Sequence, residues 1–208
     1  KIGFPLVDSV VRRSFIATGG TVLATKLALN YGIACNTAGG SHHATSSEGA
    51  GFCVFNDVAV AAKYLTSRGL ANKILIIDLD VHQGNGNSEI FKNDNQVFTF
   101  SMHSKVNYPA KKSVSDLDIE LEENLEDREY IDILKNNLKY LNEEEFDFVF
   151  YIAGVDIHYN DRLGKLKISD NGIFERDELV IDNFFSNKIP ICGAVSYTHL
   201  RAHETVDY

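Results

Sequence analysis

The sequence has few cysteines, few prolines and no long apolar run, and each shortage excludes a class of protein. Its 208 residues include three cysteines and three prolines. Disulfide-dependent secreted domains are much richer in cysteine, so we expect Cys35, Cys53 and Cys192, each in an apolar stretch, to be reduced core residues. No run approaches the roughly 18 to 20 apolar residues that cross a bilayer, and no signal-peptide pattern opens the chain. We therefore expect no membrane partner and a cytoplasmic location, or a nuclear one in a eukaryote.

The sequence also has fewer basic than acidic residues. Lysine and arginine total 20 against 29 aspartates and glutamates, which gives a formal net charge of −9. Binding the phosphates of a nucleic acid requires clustered Lys and Arg, so we expect no direct nucleic-acid partner. An acidic surface instead suits cationic partners such as lysine-rich tails or polyamines. The composition, 44% hydrophobic and 24% charged, is that of a globular chain with one sizeable core.

The hydrophobic pattern predicts an α/β fold with a mostly parallel central sheet flanked by helices. Short, continuous apolar runs are typical of strands buried on both faces, and they fall at residues 32–36, 73–80, 97–102, 146–154 and 189–195. Helical patterns lie between them, at residues 21–31, 56–67, 127–142 and 171–187. The acidic stretch 116–129 is expected to be a solvated loop that leads into a helix. Because no linker or repeat interrupts this alternation, we expect one domain.

The segment DLDVHQGNG follows one of the predicted strands and carries the strongest chemical signal. Residues i and i+2 of an extended segment point to the same face, so Asp78, Asp80 and His82 project together. Two carboxylates this close repel each other, and a bound divalent metal resolves the repulsion. The alternative is a polar strand end followed by a helix cap. Gly84 and Gly86 fit a tight turn with a close backbone approach.

Asp156 follows the apolar run FVFYIAG, in the same position relative to its own strand. With Asp80 and His82 it completes an Asp2His set, which fits zinc and leaves a fourth coordination position open for water and substrate. A buried helix cap is the alternative for Asp156. We interpret His158, two residues later, as a loop residue and not as a ligand.

Two adjacent histidines, His42 and His43, lie in a glycine-rich loop ahead of a predicted helix. Hydrolysis of an amide at zinc requires a base that takes a proton from water and an acid that protonates the leaving amine. Imidazoles titrate in the range that both roles need. The spacing alone leaves the alternative of two ordinary loop histidines open.

Together these segments resemble a known family. GGSHHA, GFCVFND, DLDVHQGNG, SMH and AGVDIHYNDRLGKLKIS resemble the successive signature segments of the histone deacetylase superfamily, in its order and roughly its spacing. NDRLGKLKIS followed by GIFERDELV, with HQGNG in place of the commoner HHGDG, is most similar to the class IV group and its bacterial relatives. The resemblance extends from about Thr18 to Ala194 and implies the three-layer fold of arginases and deacetylases. The family domain is longer at both ends, which implies a chain truncated twice.

The resemblance implies a role for each candidate residue. It implies zinc ligands at Asp80, His82 and Asp156, and a general acid and base at His42 and His43. Asp78 would orient His42 and, with Ser101, hold a structural monovalent cation, K⁺ or Na⁺. Asn85 would be the partner of His43, where many members have an aspartate. Gly51, Phe52 and Tyr108 would line the narrow tunnel for the acyl-lysine substrate.

One expected feature is missing from the resemblance. In the family, a tyrosine flanked by glycines follows the last core strand and stabilises the oxyanion. Here ICGAV is followed by VSYTHLRAHETVDY, and Tyr197 lacks those glycines, so we do not carry the role onto it. VSYTHLRAHET resembles the translation of a transposase adaptor used in sequencing-library preparation. We therefore expect a partial deacetylase-like catalytic domain at residues 1–194 and a non-native tail at 195–208, in which His199 and His203 form no metal site.

The expected function is hydrolysis of N-acetyl or other N-acyl lysine in histones or other proteins by a zinc-dependent deacetylase. Two alternatives of the same fold are an acetylpolyamine amidohydrolase and an acetoin-utilisation-type enzyme, which would take a small acetylated amine. A third is a non-catalytic module that binds acyl-lysine, since the oxyanion tyrosine is missing. A binuclear, arginase-like metallohydrolase is disfavoured because Asn85 stands where that site needs a further carboxylate.

Overall fold

The computed structural model describes residues 2–195 as a six-stranded sheet with helices on both faces. The helices are α1 (Asp8–Tyr31), α2 (Asp57–Ser67), α3 (Asn85–Phe91), α4 (Asp127–Leu141) and α5 (Asp170–Phe185). The strands are β1 (Ile33–Asn36), β2 (Ile74–Asp78), β3 (Val97–Ser104), β4 (Leu117–Leu121), β5 (Phe148–Ile152) and β6 (Ile191–Ala194). The expected tail 195–208 lies, apart from Val195, outside the described residues.

All the strand pairs of this sheet are parallel, in the order β1-β6-β5-β2-β3-β4. The prediction of a mostly parallel sheet flanked by helices is confirmed. The strands β2 and β5 are neighbours, and their ends coincide because Asp78 pairs with Ile152. Residues that follow these two strands therefore emerge side by side at the carboxyl edge, where open α/β sheets hold their ligands.

The central strands are buried on both faces, which explains why they read as unbroken apolar runs. Along β2, Leu75 and Ile77 pack into the core under α4 and α5. The alternate residues Ile74 and Ile76 pack into a second core with α1 and α2. The sheet is therefore held between two hydrophobic layers, which fix the positions of its strand ends.

Two elements differ from the sequence prediction. The acidic stretch contains β4, where Leu117, Ile119 and Leu121 alternate with acidic residues and pair with β3. The interpretation of residues 116–129 as a solvated loop was wrong for this part, because an edge strand with one solvated face tolerates charge at every second position. The segment around Gly86, predicted as a turn, forms the short helix α3.

The first helix begins much earlier than predicted. The pattern indicated a helix from residue 21, whereas α1 begins at Asp8 and runs for 24 residues. Gly19 and Gly20 are each unfavourable in a helix by about 1 kcal/mol, so the residues before them did not look helical in the sequence. Gly20 packs closely on β1, where a Cβ would lie 3.0 Å from the Asn36 side-chain nitrogen.

The cysteines are free, as predicted, but they do not all lie in the core. Cys53 and Cys192 are buried, whereas Cys35 is exposed because it lies on the edge strand β1. Within residues 2–195, no helix is long and apolar enough to cross a membrane.

Candidate functional site

A buried group of two carboxylates and an imidazole lies where β2 and β5 end. Asp80, His82 and Asp156 each offer a ligand atom, and these atoms all lie within 4.8 Å of one another. The Nδ1 atom of His82 lies 3.0 Å from an oxygen of Asp80 and 3.0 Å from an oxygen of Asp156. All three residues are buried. The structure therefore brings together the three residues that the sequence predicted as metal ligands.

The backbone around this group fixes the two carboxylates and leaves them little space. The amide of His82 donates to Asp80 Oδ1 at 2.9 Å, and that of Val81 donates to Asp156 Oδ1 at 3.0 Å. A Cβ at Gly154 would lie 2.8 Å from Asp80 Cγ and 3.0 Å from Asp156 Oδ1. The donor set has the composition and the closeness that a catalytic zinc requires.

The charges in this group are strongly coupled. Burial disfavours a charged His82, but hydrogen bonds to Asp156 and Asp80 outweigh it and raise the pKa of His82 to about 10. Burial and the negative charge of Asp80 raise the pKa of Asp156 to about 7. The two carboxylates thus favour a positive charge between them, which is the charge that a divalent cation would supply.

The two histidines of GGSHHA lie beside this group. The His42 and His43 rings lie 4.1 Å apart between centroids, and the His43 ring lies 5.9 Å from that of His82. The His42 Nε2 atom is 3.8 Å from Asp80 Oδ1. The predicted histidine pair and the predicted metal ligands therefore lie next to one another.

Each histidine has its own partner. His42 Nδ1 lies 2.7 Å from Asp78 Oδ2, and His43 Nδ1 lies 2.7 Å from Asn85 Oδ1. Burial opposes a charge on His42, but the carboxylates of Asp78 and Asp80 raise its pKa to about 9. Burial and the charge of His42 lower the pKa of His43 well below its ordinary value. The two adjacent imidazoles thus lie in different electrostatic environments.

The histidine loop, residues 39–45, is held by a buried aspartate at the start of α2. Asp57 accepts hydrogen bonds from the amides of Gly40 at 3.0 Å and Ser41 at 2.7 Å. The Thr21 hydroxyl of α1 also donates to Asp57. Sequence reasoning missed this role, although Asp57 belongs to the GFCVFND segment and an acidic residue at a helix start was a visible signal.

The short helix α3 also forms a hydrogen bond with the histidine loop. The amide of Gly86 donates to His42 O at 2.9 Å. A Cβ at Gly86 would lie 2.6 Å from that oxygen, so only glycine permits the approach. Asn56, which caps α2, donates to Ala44 O at 3.1 Å. The loop is therefore fixed at both ends before any ligand binds.

Asp78 and Ser101, predicted to share a monovalent cation, are paired residues on β2 and β3. Both are buried. Asp78 Oδ1 accepts a hydrogen bond from the Asp80 amide at 3.2 Å, and the Ser101 hydroxyl lies 3.0 Å from His103 Nδ1. The two residues are neighbours on adjacent strands, and the cation site stays a prediction.

Of the three residues predicted to line a tunnel, Gly51 and Tyr108 contact His43, and Phe52 follows Gly51 in the chain. The Tyr108 ring packs edge-on against His43 at 4.9 Å. Gly51 has a φ of 52°, and a Cβ there would lie 2.8 Å from His43 Cγ. Phe52 has a φ of 63°, stacks on Phe4 at 6.2 Å and is 51% exposed. A bulky side chain in this left-handed conformation is uncommon and marks functional segments more often than others.

His158 is not part of the metal group. It is buried, its amide donates to Val155 O at 3.1 Å, and its Nδ1 accepts a hydrogen bond from the Asn160 amide at 3.2 Å. Its role in the described structure is to shape the turn after Asp156.

The fold and the site define a parallel α/β protein with a candidate metal centre and a histidine pair at the carboxyl edge of its sheet. A sequence profile of the histone deacetylase domain matches residues 3–200. The chain belongs to the histone deacetylase superfamily.

Several relatives are similar over nearly the whole chain. An uncharacterized protein of Picosynechococcus sp. is 50% identical over 196 residues, which cover 94% of this chain and 65% of the relative. Histone deacetylase 2 of Arabidopsis thaliana is 36% identical and is matched over 90% of this chain and 50% of the plant protein. The acetoin utilization protein AcuC of Staphylococcus aureus is 28% identical over 89% of this chain and 52% of its own length. The chain thus spans between half and two thirds of these relatives.

Solved structures share the fold. The crystal structure of an HDAC homolog from Aquifex aeolicus has a TM-score of 0.76 and 30% identity, covering 88% of this chain and 53% of the homolog. The structure of an HDAC homolog complexed with SAHA also has a TM-score of 0.76 at 30% identity, over 87% of this chain and 52% of the homolog.

Proposed function

We propose that the protein is a zinc-dependent deacetylase that hydrolyses the amide bond of N-acyl lysine in histones or other proteins. The observation that carries this proposal is that three side chains able to hold a metal ion lie beside a buried histidine pair, with His42 Nε2 3.8 Å from Asp80 Oδ1. Amide hydrolysis needs both an electrophile for the carbonyl and groups that move protons. Membership of the histone deacetylase superfamily supports the same chemistry.

In this proposal Asp80, His82 and Asp156 hold the zinc ion. Zinc bound there would polarise the acyl carbonyl and acidify a water molecule. The buried carboxylates fit this task because the hydrogen bonds from Val81 and His82 fix their orientation. Asp78 and Ser101 hold a monovalent cation, K⁺ or Na⁺, behind the site.

The two histidines divide the proton transfers between them. Asn85 offers an amide oxygen to His43 Nδ1, so that nitrogen carries the proton and Nε2 is free to accept one. We assign His43 as the base that takes a proton from water. The Asp78 carboxylate favours a charged His42, which we assign as the acid that protonates the leaving amine.

The substrate would enter past Gly51, Phe52 and Tyr108. The two aromatic rings, each partly exposed, suit the methylene stem of an acyl-lysine, which is apolar along its length. The net charge of −9 suits a cationic protein tail around that lysine. It suits a small acetylated amine equally well, and the experiment below includes one. The three free cysteines support a cytoplasmic location, or a nuclear one in a eukaryote.

The test compares turnover and metal content in the intact protein. An acetyl-lysine peptide and an acetylated polyamine serve as substrates, before and after chelation and after zinc is restored. Asp80→Asn is the test variant, and Asp132→Asn, on the exposed face of α4, is the matched control. We expect chelation and Asp80→Asn to abolish turnover and zinc binding, and Asp132→Asn to change neither.

A third variant separates binding from catalysis. His43→Ala should retain zinc and lose roughly 10²- to 10⁴-fold in kcat, the usual contribution of a general base. Turnover that survives chelation or Asp80→Asn contradicts the metal-dependent reaction. Zinc and acyl-lysine binding by the intact protein without turnover would instead identify a recognition module.

A further inference from the structure

One buried charged side chain takes no part in the proposed chemistry, although it lies directly behind the metal group. Arg176 of α5 is fully buried. Its Nη1 donates to Gly154 O at 2.6 Å and lies 3.4 Å from Leu79 O. An arginine in a hydrophobic core is rare unless it is paired, so these contacts call for an explanation.

The two carbonyl groups belong to the segments that carry the metal ligands. Leu79 immediately precedes Asp80, and Gly154 lies two residues before Asp156. The amide of Leu79 donates to Ile152 O at 3.0 Å, where the pairing of β2 and β5 ends. Beyond that bond, within the described residues, no backbone-to-backbone hydrogen bond joins the two segments, and the Val81 amide reaches the other segment only through the Asp156 side chain. Arg176 provides a link at the point where the sheet no longer does.

The guanidinium group is itself held in one orientation. Arg176 Nε donates to Asp177 Oδ1 at 2.8 Å, and Nη2 lies 2.8 Å from the same oxygen. The Tyr151 hydroxyl also donates to this oxygen, at 2.5 Å, and its ring lies 5.9 Å from the guanidinium carbon. Because the guanidinium is planar and is held along its Nε–Nη2 edge, its remaining nitrogen, Nη1, donates in a fixed direction.

We propose that Arg176 is a positioning residue that sets the separation of Asp80 and Asp156 by tying together the Leu79 and Gly154 carbonyls. The proposal rests on the proposed function, because the separation matters only if these carboxylates share a metal. Metal sites tolerate ligand displacements of only about 0.2 Å, so a link this close to both ligands controls affinity and coordination geometry.

The test measures metal binding in the intact protein with zinc and with cobalt, whose visible spectrum reports coordination number. Arg176→Lys keeps the charge but replaces the planar fork with a single ammonium, and Arg176→Met removes the charge as well. Arg128→Met, exposed on α4, is the matched control. Circular dichroism and thermal unfolding establish the folded fraction of each variant.

We expect zinc affinity to fall roughly 10-fold in Arg176→Met, the lower end of the loss that follows removal of a direct partner of a metal ligand, because Arg176 contacts the ligand segments and not the ligands themselves. Arg176→Lys should lose less, and both variants should alter the cobalt spectrum. Arg128→Met should bind zinc as the unaltered protein does. Affinities in both Arg176 variants within twofold of the unaltered protein, with an unchanged cobalt spectrum, overturn the proposal.

A purely structural role predicts a different result. It would lower the folded fraction while the folded molecules bind cobalt with the original spectrum, and that outcome also overturns the proposal. If both Arg176 variants fail to fold, Tyr151→Phe decides, because it removes a hydrogen bond to the Asp177 carboxylate that holds the Arg176 side chain. Zinc binding should then weaken measurably and the cobalt spectrum should change, and unchanged binding overturns the proposal. Absence of metal binding in the unaltered protein would overturn the proposed function together with this inference, whereas the variant results overturn this inference alone.

Discussion

Gly154 offers a direct test of how tightly the metal group is packed, because a single methyl group added there meets both carboxylates. In Gly154→Ala the new Cβ would lie 2.8 Å from Asp80 Cγ. Carbon atoms in contact are normally about 3.5 Å apart, so the Asp80 carboxylate must move by about 0.7 Å. A metal site tolerates about 0.2 Å. We expect zinc affinity to fall about 100-fold, which corresponds to about 2.7 kcal/mol.

Competition with a chromogenic chelator measures this loss, and urea unfolding of the metal-free protein reports separately on the fold. Gly19→Ala in α1 is the matched control, since a Cβ there meets no atom within 4 Å. That control should bind zinc normally and should gain up to about 1 kcal/mol of stability from helix propensity. Zinc affinity in Gly154→Ala within threefold of the unaltered protein would refute the argument that this glycine keeps the carboxylates in place.

Three further predictions concern protonation and packing. Burial lowers the pKa of His103 from 6.5 to about 4. Because the unfolded chain therefore binds more protons between these pH values, the free energy of unfolding should rise by about 3 kcal/mol from pH 4 to pH 6.5. Urea unfolding of His103→Gln should lack this rise. Asn85→Asp places a carboxylate beside His43 and raises the pKa of His43, so the acidic limb of the pH profile of kcat/KM should move upward by roughly one to three pH units. An unmoved limb would argue against His43 as the base. Ile77→Ala should cost about 2 to 5 kcal/mol in urea unfolding, because the side chain is fully buried between strand and helices, and a loss below 1 kcal/mol would contradict that packing.

The sheet and the metal group were predictable because the signals for both are local. The runs that became β2 and β5 are unbroken because their residues alternate between two cores, and the polar residues after them then had to meet at one edge. The i, i+2 spacing of Asp80 and His82 indicated a shared face. Sequence alone identified all three members of the candidate metal group.

The residues that hold the site in place were not predictable in the same way. In the sequence, Arg176 looks like an ordinary polar residue of an amphipathic helix. Only the packing of α5 against the sheet places its side chain beside the Gly154 carbonyl. Asp57 reads as a first-turn acidic residue, yet its partners lie in a distant loop. In β4 the alternation of Leu117, Ile119 and Leu121 was visible, but the surrounding negative charge obscured it. Contacts between distant parts of the chain were the common missing information.

The sheet order also has a consequence for the newly synthesised chain. Asp80 and His82 follow β2, but Asp156 follows β5, and His82 and Asp156 are 74 residues apart in sequence. Because β5 is inserted between β2 and β6, a chain that has emerged only through β4 offers two of the three ligands and an open sheet edge. Such long-range pairing forms slowly. Under the proposed function, the complete set of metal ligands therefore forms only once β5 has joined the sheet.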